Sequence, residues 1–253
     1  MYRFFVENIN DSSGYIDITG DDVNHIRNVL RLQKDETIYI SNGNSRDYKC
    51  VIEELDNDYV RVRIIDILDS YAELPIEITL FQGVPKGDKM ELIVQKAVEL
   101  GARRVVPVIM DRTISRPDEK KMHKKTERYQ KIAESAAKQS RRGMIPEVKD
   151  FISFDKAMEM AETMDVILTP YESADGMSYA AKVINDISTS GVKNLGIFIG
   201  PEGGISDREI EILKDKGSRI ITLGHRILRT ETAGLAILSI LMFNIESNNC
   251  QND

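Results

Sequence analysis

The sequence predicts an α/β protein in two parts, a small β-rich unit over residues 1–72 and a larger open, mostly parallel α/β domain over 73–253. Three observations predict it. Short runs rich in Val, Ile, Tyr and Phe crowd the first seventy residues, and after them apolar runs alternate with helical segments. The length, 253 residues, suits two cores better than one.

In the first part YRFFV, GYIDI, ETIYIS, YKCVIEEL and YVRVRIIDIL read as strands, punctuated by the turn signals Asn42-Gly43-Asn44 and Asp56-Asn57-Asp58. Strands this short and this close predict a small barrel. One helix interrupts them over Asp21 to Leu32, with Asp21 or Asp22 as its cap and Val23, Ile26, Val29 and Leu30 at helical spacing. From Leu74 the pattern changes, and Pro75 marks the boundary. IEITLFQ, RRVVPVIM, DVILTP, LGIFIG and RIITLG are apolar with little alternation, as in strands covered on both faces. Helices are predicted between them over Asp88 to Leu100, Lys120 to Gln139, Phe154 to Met164, Gly176 to Ser188 and Ser206 to Lys216, with Gly101 and Gly217 as stops.

Composition excludes several classes. With 42% apolar and 30% charged residues the chain has an ordinary globular make-up. The longest apolar stretch, Gly234 to Ile245, is about half a bilayer span, and MYRFFVENIND lacks the pattern of a secretory signal, so a cytoplasmic protein with no membrane partner is expected. Cys50 and Cys250 have no Cys or His at ligand spacing, so neither a disulfide framework nor a metal site is expected. The net charge is −7, but Arg112 to Arg142 holds eleven basic and four acidic residues. That stretch is +7 and the remainder −14. A basic stripe on an acidic body suits either a polyanion held in one place or a solvated helix face.

Three loops at strand ends stand out in the second part: TPYES (Thr169 to Ser173), IGPEGG (Ile199 to Gly204) and LGHRILRTETAG (Leu223 to Gly234). Ligands of open α/β sheets bind beyond the carboxyl ends of the strands, where these loops lie. Neither GxGxxG nor GxxxxGK is present, and the histidines are scattered at 25, 123 and 225, which argues against dinucleotide, P-loop and hydrolase sites. Ser206 and Glu209 form a capping-box pattern and read as structural. In the third loop, Thr230 or Thr232 opens a helix, GLAILSILMFNI, that is apolar all round and must be covered by other layers or by another subunit. Arg229 and Glu231 stand at its mouth. Unpaired charge beside a dry region costs several kcal/mol, so they pair with each other, a substrate or a cofactor.

IGPEGGISDREI with LGHRILRTETAGLAIL resembles the SPOUT methyltransferases, whose chain forms a trefoil knot, and within them the bacterial 16S rRNA uracil-N3 methyltransferases. KGDKMELIVQKAVELGARRVVPV, ERYQKIAESAAKQSRRGMIPEV and HIRNVLRL match in order, so the resemblance spans nearly the whole chain. It implies a PUA-like RNA-binding barrel before a knotted α/β domain, which periodicity alone could not predict. It also implies S-adenosylmethionine as cofactor, a homodimer with the last helix at the interface, and a uridine in the decoding region of the small ribosomal subunit as substrate.

On that resemblance the three loops supply the cofactor-binding residues Thr169, Pro170, Glu172, Ile199, Gly200, Pro201, Glu202, Gly203, Leu223, Gly224, Ile227, Leu228, Arg229 and Thr232. Uracil N3 must lose its proton to accept a methyl group, so a base or a cation beside the flanking carbonyls is needed. Arg229 is the candidate cation, and Glu231, with Glu172 and Glu202, a candidate base or cofactor contact. Arg3, His25, Arg27, Arg31, Lys86, Arg112, Arg141 and Arg142 are the candidate RNA contacts. A SPOUT enzyme acting at another RNA position, or an RNA-binding assembly protein without catalysis, are the alternatives.

Overall fold

A computed structural model describes residues 2–6, 9–43, 46–69, 72–114, 118–172 and 176–249. Asn44, Arg116, Ser173 and Cys250 lie outside the described residues. The chain forms two units, one of residues 1–73 with 137–145, the other of 74–136 with 146–253.

The first unit is built on strands β1 (Arg3–Phe5), β2 (Tyr15–Thr19), β3 (Thr37–Ser41), β4 (Arg46–Leu55) and β5 (Tyr59–Asp69). Their order is β1-β3-β4-β5-β2, with β1 parallel to β3 and the other pairs antiparallel. β1 and β2 are edges, so the predicted barrel is a curled half-barrel. β1, with three residues, offers too short a ladder to close it. Alternation places Ile16, Ile18, Ile38, Ile40, Ile52, Val60 and Val62 on one inner face, around Tyr48 and Cys50. Burial pushes the Cys50 thiol up to about 12.

The predicted helix 21–32 is shorter and irregular. A single turn, α1 (Asp21–Asn24), widens into a π-type turn over His25–Val29, where Leu30 N–H donates to the His25 carbonyl at 2.8 Å. Arg31 then adopts a left-handed φ of 54° and ends it. Neither aspartate caps it: the cap position is Gly20, and Asp22 instead pairs with Lys138 at 3.0 Å.

Residues 137–145, placed by the sequence division in the second part, belong to this first unit. Ser41 Oγ donates to the Gly143 carbonyl at 2.7 Å, Gly143 N–H donates to Glu73 at 2.9 Å, and the Arg142 guanidinium pairs with the same carboxylate. These polar bonds have no signature in hydrophobic periodicity.

The second unit holds β6 (Glu77–Gly83), β7 (Arg104–Ile109), β8 (Glu147–Val148), β9 (Ile152–Ser153), β10 (Val166–Pro170), β11 (Asn194–Ile199) and β12 (Arg219–Ile221). The sheet order is β12-β10-β11-β6-β7-β8, with β9 also on β7, and every ladder is parallel. Its helices are α2 (Lys89–Glu99), α3 (Glu119–Gln139), whose last turn enters the first unit, α4 (Phe154–Ala161), α5 (Met177–Thr189), α6 (Asp207–Asp215) and α7 (Thr230–Asn249). Phe81 of β6 stacks on Phe198 of β11 at 4.5 Å, and Phe154 of α4 meets Phe198 edge-on. The Ser206–Glu209 capping box is present, and Glu209, fully buried, also accepts from Asp111 N–H at 2.8 Å.

After β12 the chain returns from the sheet edge to its middle. Gln82 of β6 donates through Nε2 to Thr230 Oγ1 at 2.8 Å, and Thr230 donates to the Gly200 carbonyl beyond β11 at 2.6 Å. This relay seats the start of α7 against two central strands. Ile237, Leu238, Leu241 and Ile245 face inward, and α7 packs on α2 and α5. Phe243, 68% exposed, and Ile240 face outward. No helix among the described residues is long and apolar enough to cross a membrane.

Candidate active site

Strands β10, β11 and β12 end on one side of the sheet because all are parallel, and the loops that follow enclose a cavity of about 420 Å³. Pro170, Glu172, Ile199, Gly200, Pro201, Glu202, Gly203, Leu223, Gly224, Ile227, Leu228 and Arg229, all assigned from sequence to the cofactor, line it. Two of the assigned residues do not. Thr169 is fully buried in β10 and shares a hydrogen bond with Ser218 at 2.8 Å. Thr232 is exposed in the first turn of α7, away from the lining. The alternation along β10 and the helical rotation after Thr230 turn both side chains elsewhere.

Close backbone approaches give the loop after β11 its shape. A Cβ on Gly83 would lie 2.5 Å from Pro201 N, and one on Gly200 would lie 2.9 Å from the backbone of Gly204 and Ile205. Only glycine fits at either position. Gly203 packs against the Arg112 stem, and Arg112 Nη1 donates to the Gly203 carbonyl at 3.3 Å.

The charges sort unevenly. Lys89, in the first turn of α2, lines the cavity and bonds Glu202 Oε1 at 3.0 Å. Its ammonium also lies 3.5 Å from Glu231 Oε2, a buried oxygen that accepts no hydrogen bond among the described residues. Glu202 further accepts from Lys86 N–H at 3.1 Å. Partial burial opposes the Glu202 charge, but the Lys89 ammonium and these backbone N–H groups outweigh it and hold the carboxyl below the usual carboxylate range. Glu202 in turn raises Lys89.

Glu231 does not line the cavity. The pairing of Arg229 with Glu231, one option from sequence, is not formed: Arg229 is exposed on the lining, with no ion pair among the described residues. Sequence reasoning missed Lys89, Tyr171 and Arg226 as lining residues. A signal existed for Lys89, since a cation in a first helical turn opposes the helix dipole.

The candidate RNA residues divide. Arg112 lies on the cavity and Lys86 is exposed beside it. In the first unit His25, Arg31 and Arg141 are exposed, Arg141 at a left-handed φ of 61°, and Arg27 bonds Asn57 at 2.8 Å. Arg3 and Arg142 are corrections. Arg3 forms a two-pronged bond to Asp47 at 2.8–2.9 Å, and Arg142 is 3% exposed against Glu73, so both brace the unit and neither is free for a phosphate.

Sequence and structure comparisons agree with this geometry. A family described as RNA methyltransferase domain matches residues 72–242, and one described as RNA methyltransferase PUA domain matches 18–65. The chain belongs to this RNA methyltransferase family. The ribosomal RNA small subunit methyltransferase E of Bacillus subtilis is 36% identical over 97% of this chain and 98% of its own length. The protein of the same name from Aquifex aeolicus is 33% identical over 87% of this chain and 91% of its own. The crystal structure of a ribosomal RNA small subunit methyltransferase E from Neisseria gonorrhoeae bound to S-adenosyl methionine is 29% identical, with a TM-score of 0.81 over 96% of this chain and 97% of that one.

Proposed function

We propose that this chain methylates N3 of a uracil in the decoding region of 16S rRNA, within the small ribosomal subunit, using S-adenosylmethionine. The observation that carries the reading is Arg229, a guanidinium without an ion pair among the described residues, on a cavity walled by three strand-end loops. The walls suit the cofactor: Ile199, Leu223 and Leu228 offer apolar surface, the glycines of 200–204 expose backbone groups, and the Glu172 and Glu202 carboxylates can accept from hydroxyl or amino groups. Bound there, S-adenosylmethionine supplies an electrophilic methyl group.

The remaining work falls to the chain. As N3 loses its proton, negative charge spreads onto the flanking carbonyl oxygens, and Arg229 stabilises it. Lys89 holds Glu202 and Glu231 in ion pairs, so Glu172, exposed at the rim, is the carboxylate left to take the proton. Arg112, Lys86 and, in the first unit, His25, Arg27, Arg31 and Arg141 contact phosphates, with the target base drawn out of its stack. The outward Phe243 and Ile240 of α7 support a homodimer, which sedimentation of a Phe243→Glu variant tests. The compartment is the cytoplasm, where ribosomes assemble.

The deciding experiment is methyl transfer from labelled S-adenosylmethionine to unmethylated small subunits, followed by nucleoside analysis. Label in N3-methyluridine supports the reading. Label in another nucleoside replaces the substrate, and cofactor binding without transfer to any RNA removes the catalytic assignment.

A further inference from the structure

Lys89 sits where a cation is least expected. It occupies the first turn of α2, the end at which the helix dipole favours anions. Two carboxylates compensate it, one from the loop after β11 (Glu202, 3.0 Å) and one from the start of α7 (Glu231, 3.5 Å). One ammonium thereby joins three segments that are far apart in sequence. Arg229, two residues before Glu231, has no carboxylate among the described residues, although Glu202 and Glu231 both belong to the segments that frame the same cavity. Glu231 Oε2 is buried, and without Lys89 it would be an uncompensated charge that a flexible neighbouring guanidinium could satisfy.

We propose that Lys89 is a positioning residue for methyl transfer: by holding Glu202 and Glu231 together, it prevents these carboxylates from capturing Arg229 and leaves that guanidinium free for the nucleobase. The inference rests on the role of Arg229 proposed above. It concerns how the site keeps a cation available, and Lys89 itself need not touch the reacting atoms.

The test compares wild type, Lys89→Met, Lys89→Arg and Lys89→Met/Glu231→Gln in methyl transfer to unmethylated small subunits, with calorimetric cofactor binding as a check of the folded site. Lys89→Met lowers kcat about 10- to 100-fold, less than the roughly 100- to 1,000-fold cost of removing a charge-stabilising group itself because Arg229 is retained, with a much smaller change in KM for the subunit. Lys89→Arg retains most of the wild-type kcat. In the double variant, removing the capturing carboxylate raises kcat at least about fivefold above Lys89→Met, the scale of a one-kilocalorie coupling. A purely structural bridge predicts no such rescue, since the second substitution would only loosen the site further. A wild-type kcat in Lys89→Met, or a double variant no faster than Lys89→Met, overturns the inference while leaving the functional reading in place. A wild type that transfers no methyl group to the subunit overturns both.

Discussion

Arg142 of the first unit and Arg229 of the second show what decides the use of an arginine. Both stand in stretches that the sequence marks as ligand-facing. Arg142 is 3% exposed and locked to Glu73, whereas Arg229 is exposed on the cavity with no ion pair among the described residues. The difference lies in the carboxylates. The first unit places Glu73 and Asp47 beside Arg142 and Arg3, and the second places Glu202 and Glu231 on Lys89. In the second unit a lysine holds two of the acids of the framing segments, and Arg229 keeps no ion pair among the described residues.

The contrast can be broken in several ways. The largest effect is expected at the buried pair: Arg142→Ala leaves Glu73 without its countercharge and lowers unfolding free energy by about 3–5 kcal/mol in denaturant titration. Unchanged stability would return Arg142 to the pool of RNA contacts. Arg229→Ala should leave stability intact and lower kcat about 100-fold or more, with cofactor affinity by calorimetry little changed. Lost affinity with kcat unchanged at saturating cofactor would place Arg229 in cofactor binding only.

A smaller effect follows from the loop beneath that arginine. In Gly200→Ala the new methyl group meets the backbone of Gly204 and Ile205 at 2.9 Å, and cofactor affinity falls about five- to a hundredfold. Full affinity would show that the loop yields without cost. The smallest effects concern charge states. Glu202 is held low, so its ionised form is present above the ordinary carboxylate range and is lost only as pH falls through its folded value. Lys89 is held high, so its charge is complete below the ordinary lysine range and is lost as pH rises through its folded value. Both are charged from about pH 5 to 9, and carbon-13 NMR of the Glu202 carboxyl should show no titration step in that window. A step would break the pairing with Lys89.

The strands were legible nearly to the residue. YKCVIEEL and YVRVRIIDIL became β4 and β5, and LGIFIG became β11, because alternation or continuous apolar character reports directly on which faces are covered. The two-residue strands β8 and β9 were not legible, since so short a run carries no period. Nor was the π-type turn at His25–Val29, whose apolar spacing is that of an ordinary helix. At the site the three loops were legible from glycine, proline and charge after strand ends. The bridging role of Lys89 was not, because it depends on partners 113 and 142 positions away.

The sequence by itself determined the elements, the side of the sheet on which a ligand could sit, and, through its resemblance, the family. Those follow from local periodicity, from the direction of parallel strands and from motifs held in fixed order. Tertiary structure decided which charges are spent and which are kept. Arg3 and Arg142 became braces, Thr169 and Thr232 turned away from the cavity, and Lys89 took Glu202 and Glu231. Ion pairs form between side chains distant in sequence, and their partners are fixed only when the chain has folded around them.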